Sequence, residues 1–189
     1  MGGDKNFTQK LDTFFTLNAK PEDVNGNASG FIGQYAHGNE PSHHIVYLYD
    51  FTNEPWKAAT YAAKIMNELY NDNQSGYSGN EDCGQMSAWY IFSVLGFYPV
   101  NPANGVYCFG SPQLPAATIT LASGKEFKIT THDASPENIY IQKILLNGEP
   151  HKKLFITHND IISGGKLEYF MGSKPNKKTA NWEKPEGSK

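Results

Sequence analysis

The spacing of apolar residues changes period near residue 98, and the change divides the chain into a helical part and a strand part. Phe7, Leu11, Phe14 and Phe15 recur at three- and four-residue intervals, which predicts a helix over 5–17 with one apolar face. A short helix is expected over 43–51. Asn53, Glu54 and Pro55 then form a restart signal, a capping amide followed by an acid and a proline in the first turn. The helix they open, 54–70, carries Trp56, Ala59, Ala63, Met66 and Tyr70 along one stripe. Met86 to Leu95 is apolar nearly all round, the pattern of a helix buried between other elements. Gly96 ends it and Pro99 prevents a restart. Segments 20–38 and 71–84, rich in Asn, Gly and Asp, read as loops, the first long enough to suggest a function of its own.

Beyond Tyr98 the pattern shortens to β-type runs at 106–109, 118–121, 126–131, 139–145, 154–156 and 166–171. Turn signals at Ser123-Gly124, Asn147-Gly148 and Gly164-Gly165 separate them. Lys, Pro, Asn and Gly dominate from Ser173 onward, so 173–189 is expected to be a flexible tail. The expected class is α+β: helices over 1–100, an antiparallel sheet or sandwich portion over 101–172, and the tail. No internal repeat is visible.

Composition narrows the functional classes. The chain has 189 residues, 39% hydrophobic and 19% charged, with a net charge of −3, and all 16 of its basic residues are lysine. Without arginine there is no bidentate fork for phosphate or guanine, so a nucleic-acid partner is not expected. No apolar run approaches the roughly 20 residues that span a bilayer. Residues 1–5 carry no signal-peptide pattern, so an export signal lies elsewhere or is absent. Cys83 and Cys108 have no metal-type spacing and are expected to be unpaired, buried thiols. Aromatic residues, 13% of the chain, crowd between Phe31 and Tyr107. They suit either a core or a sugar site.

Two polar blocks carry the candidate chemistry. In Gly79-Asn80-Glu81-Asp82-Cys83-Gly84, two adjacent carboxylates stand directly ahead of the apolar helix. They serve either as helix caps, favoured there by the dipole, or as groups for acid/base work or cation binding. The other block, Gly33 to His44, holds three histidines beside Asn39 and Glu40. Gly38 and Pro41 break the helix that a zinc pair would need, whereas Asn39 and Glu40 offer the hard oxygens that Ca²⁺ takes. Asn39 and Ser42 as caps of the next helix is the alternative.

Together GQYAHGNEPSHHIVYLY, GYSGNEDCGQMSAWYIFSVLGFYPVNP and the following YCFGSPQL resemble, over residues 4–170, the C-terminal part of glycoside hydrolase family 92, the calcium-dependent exo-acting α-mannosidases. The resemblance implies that 5–96 are the last helices of an (α/α)6 barrel whose active site lies against an N-terminal β-sandwich. It implies inverting hydrolysis of terminal α-linked mannose, commonly α-1,2, with Ca²⁺ on the O2 and O3 hydroxyls. By the same resemblance Asp82 is the general base, Glu81 the alternative, Asn39 and Glu40 hold the metal, and His37 and Asn80 contact substrate. Asn80 stands where the family can carry a second aspartate.

The family's general acid is a glutamate well upstream of HGNEP, and Glu22 lacks the aromatic sequence that accompanies it. The chain therefore resembles a C-terminal piece, with the missing N-terminal part as its partner, mannose-terminated glycans as substrate, and no activity alone. Self-association through unpartnered helices is expected. Periplasm or cell surface is the compartment that the resemblance implies. The competing readings are a carbohydrate-binding β-module and a purely structural domain of a larger hydrolase.

Overall fold

The computed structural model describes residues 2–18 and 29–187. Helix α1, Asp4–Thr16, buries Leu11 and Phe15, with Phe7 and Phe14 half-buried beside them. Of the expected loop over 20–38, residues 19–28, including Glu22, lie outside the described residues. The remainder is a small hairpin of β1, Phe31–Ile32, and β2, Tyr35–Ala36. Its Gly33 has φ +62° and packs against the backbone of Phe15, where no side chain would fit.

The expected helix over 43–51 is instead 3₁₀, Ile45–Phe51, with Val46, Tyr47, Tyr49 and Asp50 all buried. Burial on nearly every side lets tertiary packing override local propensity. Helix α2, Trp56–Leu69, starts two residues later than expected, and Asn53 does not cap it. Thr52 Oγ1 accepts the Glu54 N–H at 3.0 Å instead, and Asn53 Oδ1 accepts Lys184 Nζ at 2.7 Å. Helix α3, Gln85–Leu95, lies between Gly84 and Gly96, both left-handed. It buries Met86, Trp89, Ser93 and Val94 but leaves Ile91 56% exposed, so it is not enclosed all round.

Beyond the β1–β2 hairpin, the described strands form two sheets. β3 (Phe97–Asn101), β4 (Val106–Phe109) and β9 (Phe155–Thr157) make the smaller one. β3 falls on a stretch read from sequence as a connector, because Pro99 within it and Pro102 just after it hide it. The larger sheet contains β5 (Ala116–Thr120), β6 (Glu126–His132), β7 (Tyr140–Leu146), β8 (Glu149–Pro150) and β10 (Gly165–Gly172), in the order β5-β6-β10-β7-β8. It is mixed, not antiparallel as expected: β10 runs parallel to β6, with Leu167 opposite Ile129, and antiparallel to β7. A short helix, α4 (His158–Ile162), precedes β10 behind a capping box of Thr157 and Asp160.

Strand alternation places the small sheet between two cores. Tyr98 and Cys108 face the helical core with Tyr47 and Trp89, whereas Phe97 and Phe109 face the other with Ile129, Leu167 and Tyr169. The tail is not frayed through residue 187. A 3₁₀ turn at Lys177–Asn181 buries Thr179, Trp182 packs on the strand core, and the Leu154 N–H donates to the Glu183 carbonyl at 2.8 Å.

Candidate active site

The two polar blocks meet backbone to backbone. Gly38 and Gly79, the latter at φ +88°, face each other so closely that a Cβ on Gly79 would lie 3.1 Å from both Cα and O of Gly38. A Cβ on Gly38 would stand 2.9 Å from the Ser78 carbonyl. Only glycine at both positions permits this approach. Past it, the chain makes a 3₁₀ turn at Glu40–Ser42 on one side, and on the other a turn with Asp82, Cys83 and Gly84 at φ +49°, +57° and +91°. Three successive left-handed residues, two of them not glycine, are strained and need surrounding support.

That turn directs the Asp82 carboxyl at the Glu40 carboxyl, close enough for a hydrogen bond when one of them carries a proton. The bond with Glu40 is the chief cause that raises the Asp82 pKa, and its counterpart is the chief cause that lowers that of Glu40. The two neighbouring carboxyls, Asp82 exposed and Glu40 half-buried, thus have their proton affinities drawn apart, Asp82 upward and Glu40 downward. Glu81 is used otherwise. Its carboxylate accepts the Ser87 N–H at 3.0 Å and the Ser87 hydroxyl at 2.9 Å, and the first of these leads the causes that hold its pKa down. The capping role thus falls to Glu81, and Asp82 is left free. Asn39 and Asn80 are exposed on the same two turns, and Asn39 makes no side-chain cap.

His37, expected to contact substrate, is buried. Its side chain is 0% exposed, and both ring nitrogens are engaged: Nδ1 with Tyr35 Oη at 2.8 Å and Nε2 with Tyr70 Oη at 2.7 Å. Tyr70 gives its proton to the Met86 carbonyl at 3.0 Å, so His37 Nε2–H is the donor to Tyr70, and Nδ1 accepts from Tyr35. Burial lowers the His37 pKa to about 3, with help from His43. His43 is equally buried: Nε2 donates to the His37 carbonyl at 2.9 Å, and Nδ1 accepts from Gln85 Nε2 at 3.1 Å. Trp89 Nε1 donates to the His43 carbonyl at 3.0 Å. The histidines are thus the buried frame that ties the Glu40 turn to the head of α3. Sequence reading missed Tyr70, Gln85 and Trp89, for which periodicity gave no signal beyond core packing.

Cys83 is exposed beside the acids, contrary to the buried thiol expected, whereas Cys108 is buried; both are free. A groove of about 450 Å³ opens from Glu40 past His44 and Gln85 to Tyr98 and Phe92. The oxygens of Asn39, Glu40 and Asp82 are hard donors of the kind that Ca²⁺ takes, but they supply fewer than the about 6–8 it requires. Among the described residues no group of three or more His, Cys, Asp or Glu side chains could hold a metal ion. A cation here would need further ligands from water, backbone or another polypeptide segment.

The chain matches the profile of the glycosyl hydrolase family 92 catalytic domain over residues 1–173. It is 33% identical over 140 residues to an uncharacterized secreted glycosidase of Arthroderma benhamiae, covering 72% of this chain and 18% of that protein. Its fold is similar to that of the family GH92 α-mannosidase BT3965 from Bacteroides thetaiotaomicron, solved with mannoimidazole. The TM-score is 0.89 at 42% identity, over 94% of this chain and 24% of that one. The GH92 inverting mannosidase BT2199 of the same organism gives 0.81 at 38%, over 95% and 26%. The chain thus spans about a quarter or less of the length of these relatives. With the family profile matched across nearly all of its residues, this chain belongs to glycosyl hydrolase family 92.

Proposed function

We propose that residues 1–189 supply the base-bearing, C-terminal part of an exo-acting, inverting α-mannosidase, α-1,2-linked mannosides being the expected substrates. The observation that carries this reading is the Glu40–Asp82 carboxyl pair, fixed across the Gly38–Gly79 contact. Asp82, free of the cap that occupies Glu81, is the general base. It takes the proton of a water on the sugar face opposite the leaving group, while an acid about 6.5–9.5 Å away on another segment protonates the leaving oxygen. Asn39 and Glu40 would hold Ca²⁺, which when bound supplies positive charge for the hydroxyls of the terminal sugar. A cation on Glu40 would also lower the Asp82 pKa and favour its ionised form, the state a base requires. The helices would complete an (α/α)6 barrel with neighbours from a preceding segment, and the exposed Ile91 face of α3 is where such neighbours would pack. The secreted description of the fungal relative favours an extracellular or periplasmic site of action. No helix among the described residues is long and apolar enough to cross a membrane.

The test is hydrolysis of α-1,2-mannobiose by a polypeptide that joins these residues to the rest of a family 92 catalytic unit. Asp82→Asn should lower kcat by about 10²–10⁴ with KM little changed, whereas Glu81→Gln should retain most activity. Near wild-type kcat in Asp82→Asn would eliminate Asp82 as base. The 189-residue chain alone should be inactive and bind Ca²⁺ no tighter than about 10⁻⁴ M by calorimetry. A tight site would mean that these residues build the cation cage unaided.

A further inference from the structure

Away from the candidate active site, one carboxyl group lies in a place where its charge has no support. Asp50 is 2% exposed, on the 3₁₀ segment between the two cores, and its Oδ2 has no hydrogen-bond partner. It borders a cavity of about 30 Å³, room for about one water molecule. The cavity walls come from Trp56 and Ala59 of α2, Phe109 of β4, Ile144 of β7, and Thr179 and Trp182 of the C-terminal segment. The titratable groups facing Asp50 are Tyr47, on its own segment, and Cys108 of β4, and burial keeps both of these protonated. The lining residues from α2, β7 and the C-terminal segment carry no ionisable side chain. Of the charges beside those lining residues, Glu183 pairs with Lys153 at 3.1 Å, Lys184 donates to Asn53 at 2.7 Å, and Lys178 is exposed. Burial without a counter-charge raises the Asp50 pKa well above the usual carboxylate range.

We infer that this cavity is a pH-sensitive joint: with Asp50 protonated, the C-terminal segment stays closed over it, and loss of that proton to solvent draws water in and displaces Trp182. The segment is the wall that yields, because apart from one isolated bridge at Glu183 it has no strand ladder, and scattered single bonds hold it, among them Gln142 Nε2 to the Lys174 carbonyl at 2.9 Å and the Glu183 and Lys184 contacts just given. The Leu154 N–H donates to the Glu183 carbonyl at 2.8 Å, the Glu183 N–H to Lys152 at 2.9 Å, and Asn176 Nδ2 to Gln142 at 2.9 Å. The other walls belong to a helix and to paired strands. The joint matters to the rest of the molecule because the 3₁₀ segment carrying Asp50 follows directly on the Glu40 turn. The inference is independent of the mannoside reading.

The 189-residue chain with fluorine-labelled tryptophan tests it by NMR from about pH 4 to about pH 9, the Trp182 signal being assigned with Trp182→Phe. In the wild type that signal should move along a one-proton curve as pH rises, and in Asp50→Asn it should stay at its low-pH position. At the alkaline end, the Leu154 and Glu183 amides should exchange at least about tenfold faster in the wild type than in Asp50→Asn at the same pH. An identical response in Asp50→Asn, or a Trp182 signal that does not move in the wild type, would overturn the proposal. Asp50→Leu, neutral and apolar, gives the same contrast should the asparagine variant not fold. If both variants are less stable than the wild type at the alkaline end, the carboxyl is a structural requirement and the joint does not exist.

Discussion

A histidine between two tyrosines and a tryptophan illustrates how residue chemistry depends on depth. His37 belongs to the block whose residues suggested sugar or metal contact, yet its ring is wholly buried and its proton positions are fixed by Tyr70 and Tyr35. A histidine held neutral in the fold but free to charge when unfolded makes stability fall with acid. With a folded pKa of about 3, the loss should begin below about pH 6.5 and reach the order of 4 kcal/mol near pH 3. Urea titrations at a series of pH values should show this slope, and His37→Phe should remove most of it, the remainder belonging to His43, whose pKa burial also lowers. The same variant leaves the Tyr35 and Tyr70 hydroxyls short of a partner, at about 1–3 kcal/mol for each one left unsatisfied at neutral pH. A wild-type slope that survives undiminished in His37→Phe would assign it to another group. What the sequence offered at this scale was the residue types at the site; it did not offer their depth. Asn39 and Asp82 are exposed and Glu40 half-buried, and nothing local distinguishes them from His37.

At the scale of elements, helix α3 shows what periodicity can and cannot reveal. Its apolar run and its terminating Gly96 were legible, because a C-terminal glycine in the left-handed region leaves a clear mark. Its N-terminal turn was open between capping and catalysis, and the structure sends the two acids to different neighbours: Glu81 binds Ser87, and Asp82 faces Glu40. No sequence pattern makes that division, since it depends on a contact with a distant loop. Gly96 also turns the chain into β3, with φ +96° and a Cβ position 2.8 Å from Pro112 Cβ and 3.0 Å from Tyr169 Oη. Gly96→Ala should therefore lose about 1–3 kcal/mol in denaturant unfolding. A neutral outcome would mean that Pro112 and Tyr169 move aside readily. β3 itself went unseen because Pro99 and Pro102 read as a connector, yet as a strand it sends Phe97 and Tyr98 into different cores.

For the whole molecule, the division into helices and strands was readable from the change of period, but strand order was not. Hydrophobic alternation says which face of a strand is buried, not which strand lies beside it. The helical part also presents an incomplete surface, with Ile91 of α3 56% exposed between the half-buried Ala88 and Phe92. Sedimentation of the isolated chain should show concentration-dependent self-association, and Ile91→Lys should abolish it. A chain that stays monomeric at high concentration would indicate that this face is satisfied as it stands.

The position of β10 determines when the larger sheet can exist during synthesis. It lies between β6 and β7, yet it is the last of the sheet's strands to leave the ribosome. Until it emerges, β5 with β6 and β7 with β8 are two separate hairpins, each with an open edge, because the place between them belongs to residues not yet made. A hairpin alone is at best marginally stable. Everything from Ala116 onward must therefore wait, exposed, for Gly165–Gly172 to arrive, and the long-range parallel pairing that closes the sheet is of the slow-forming kind. The nascent strand half is thus the stage at which this polypeptide is most open to pairing with the wrong chain, and the stage at which a chaperone would have most to protect.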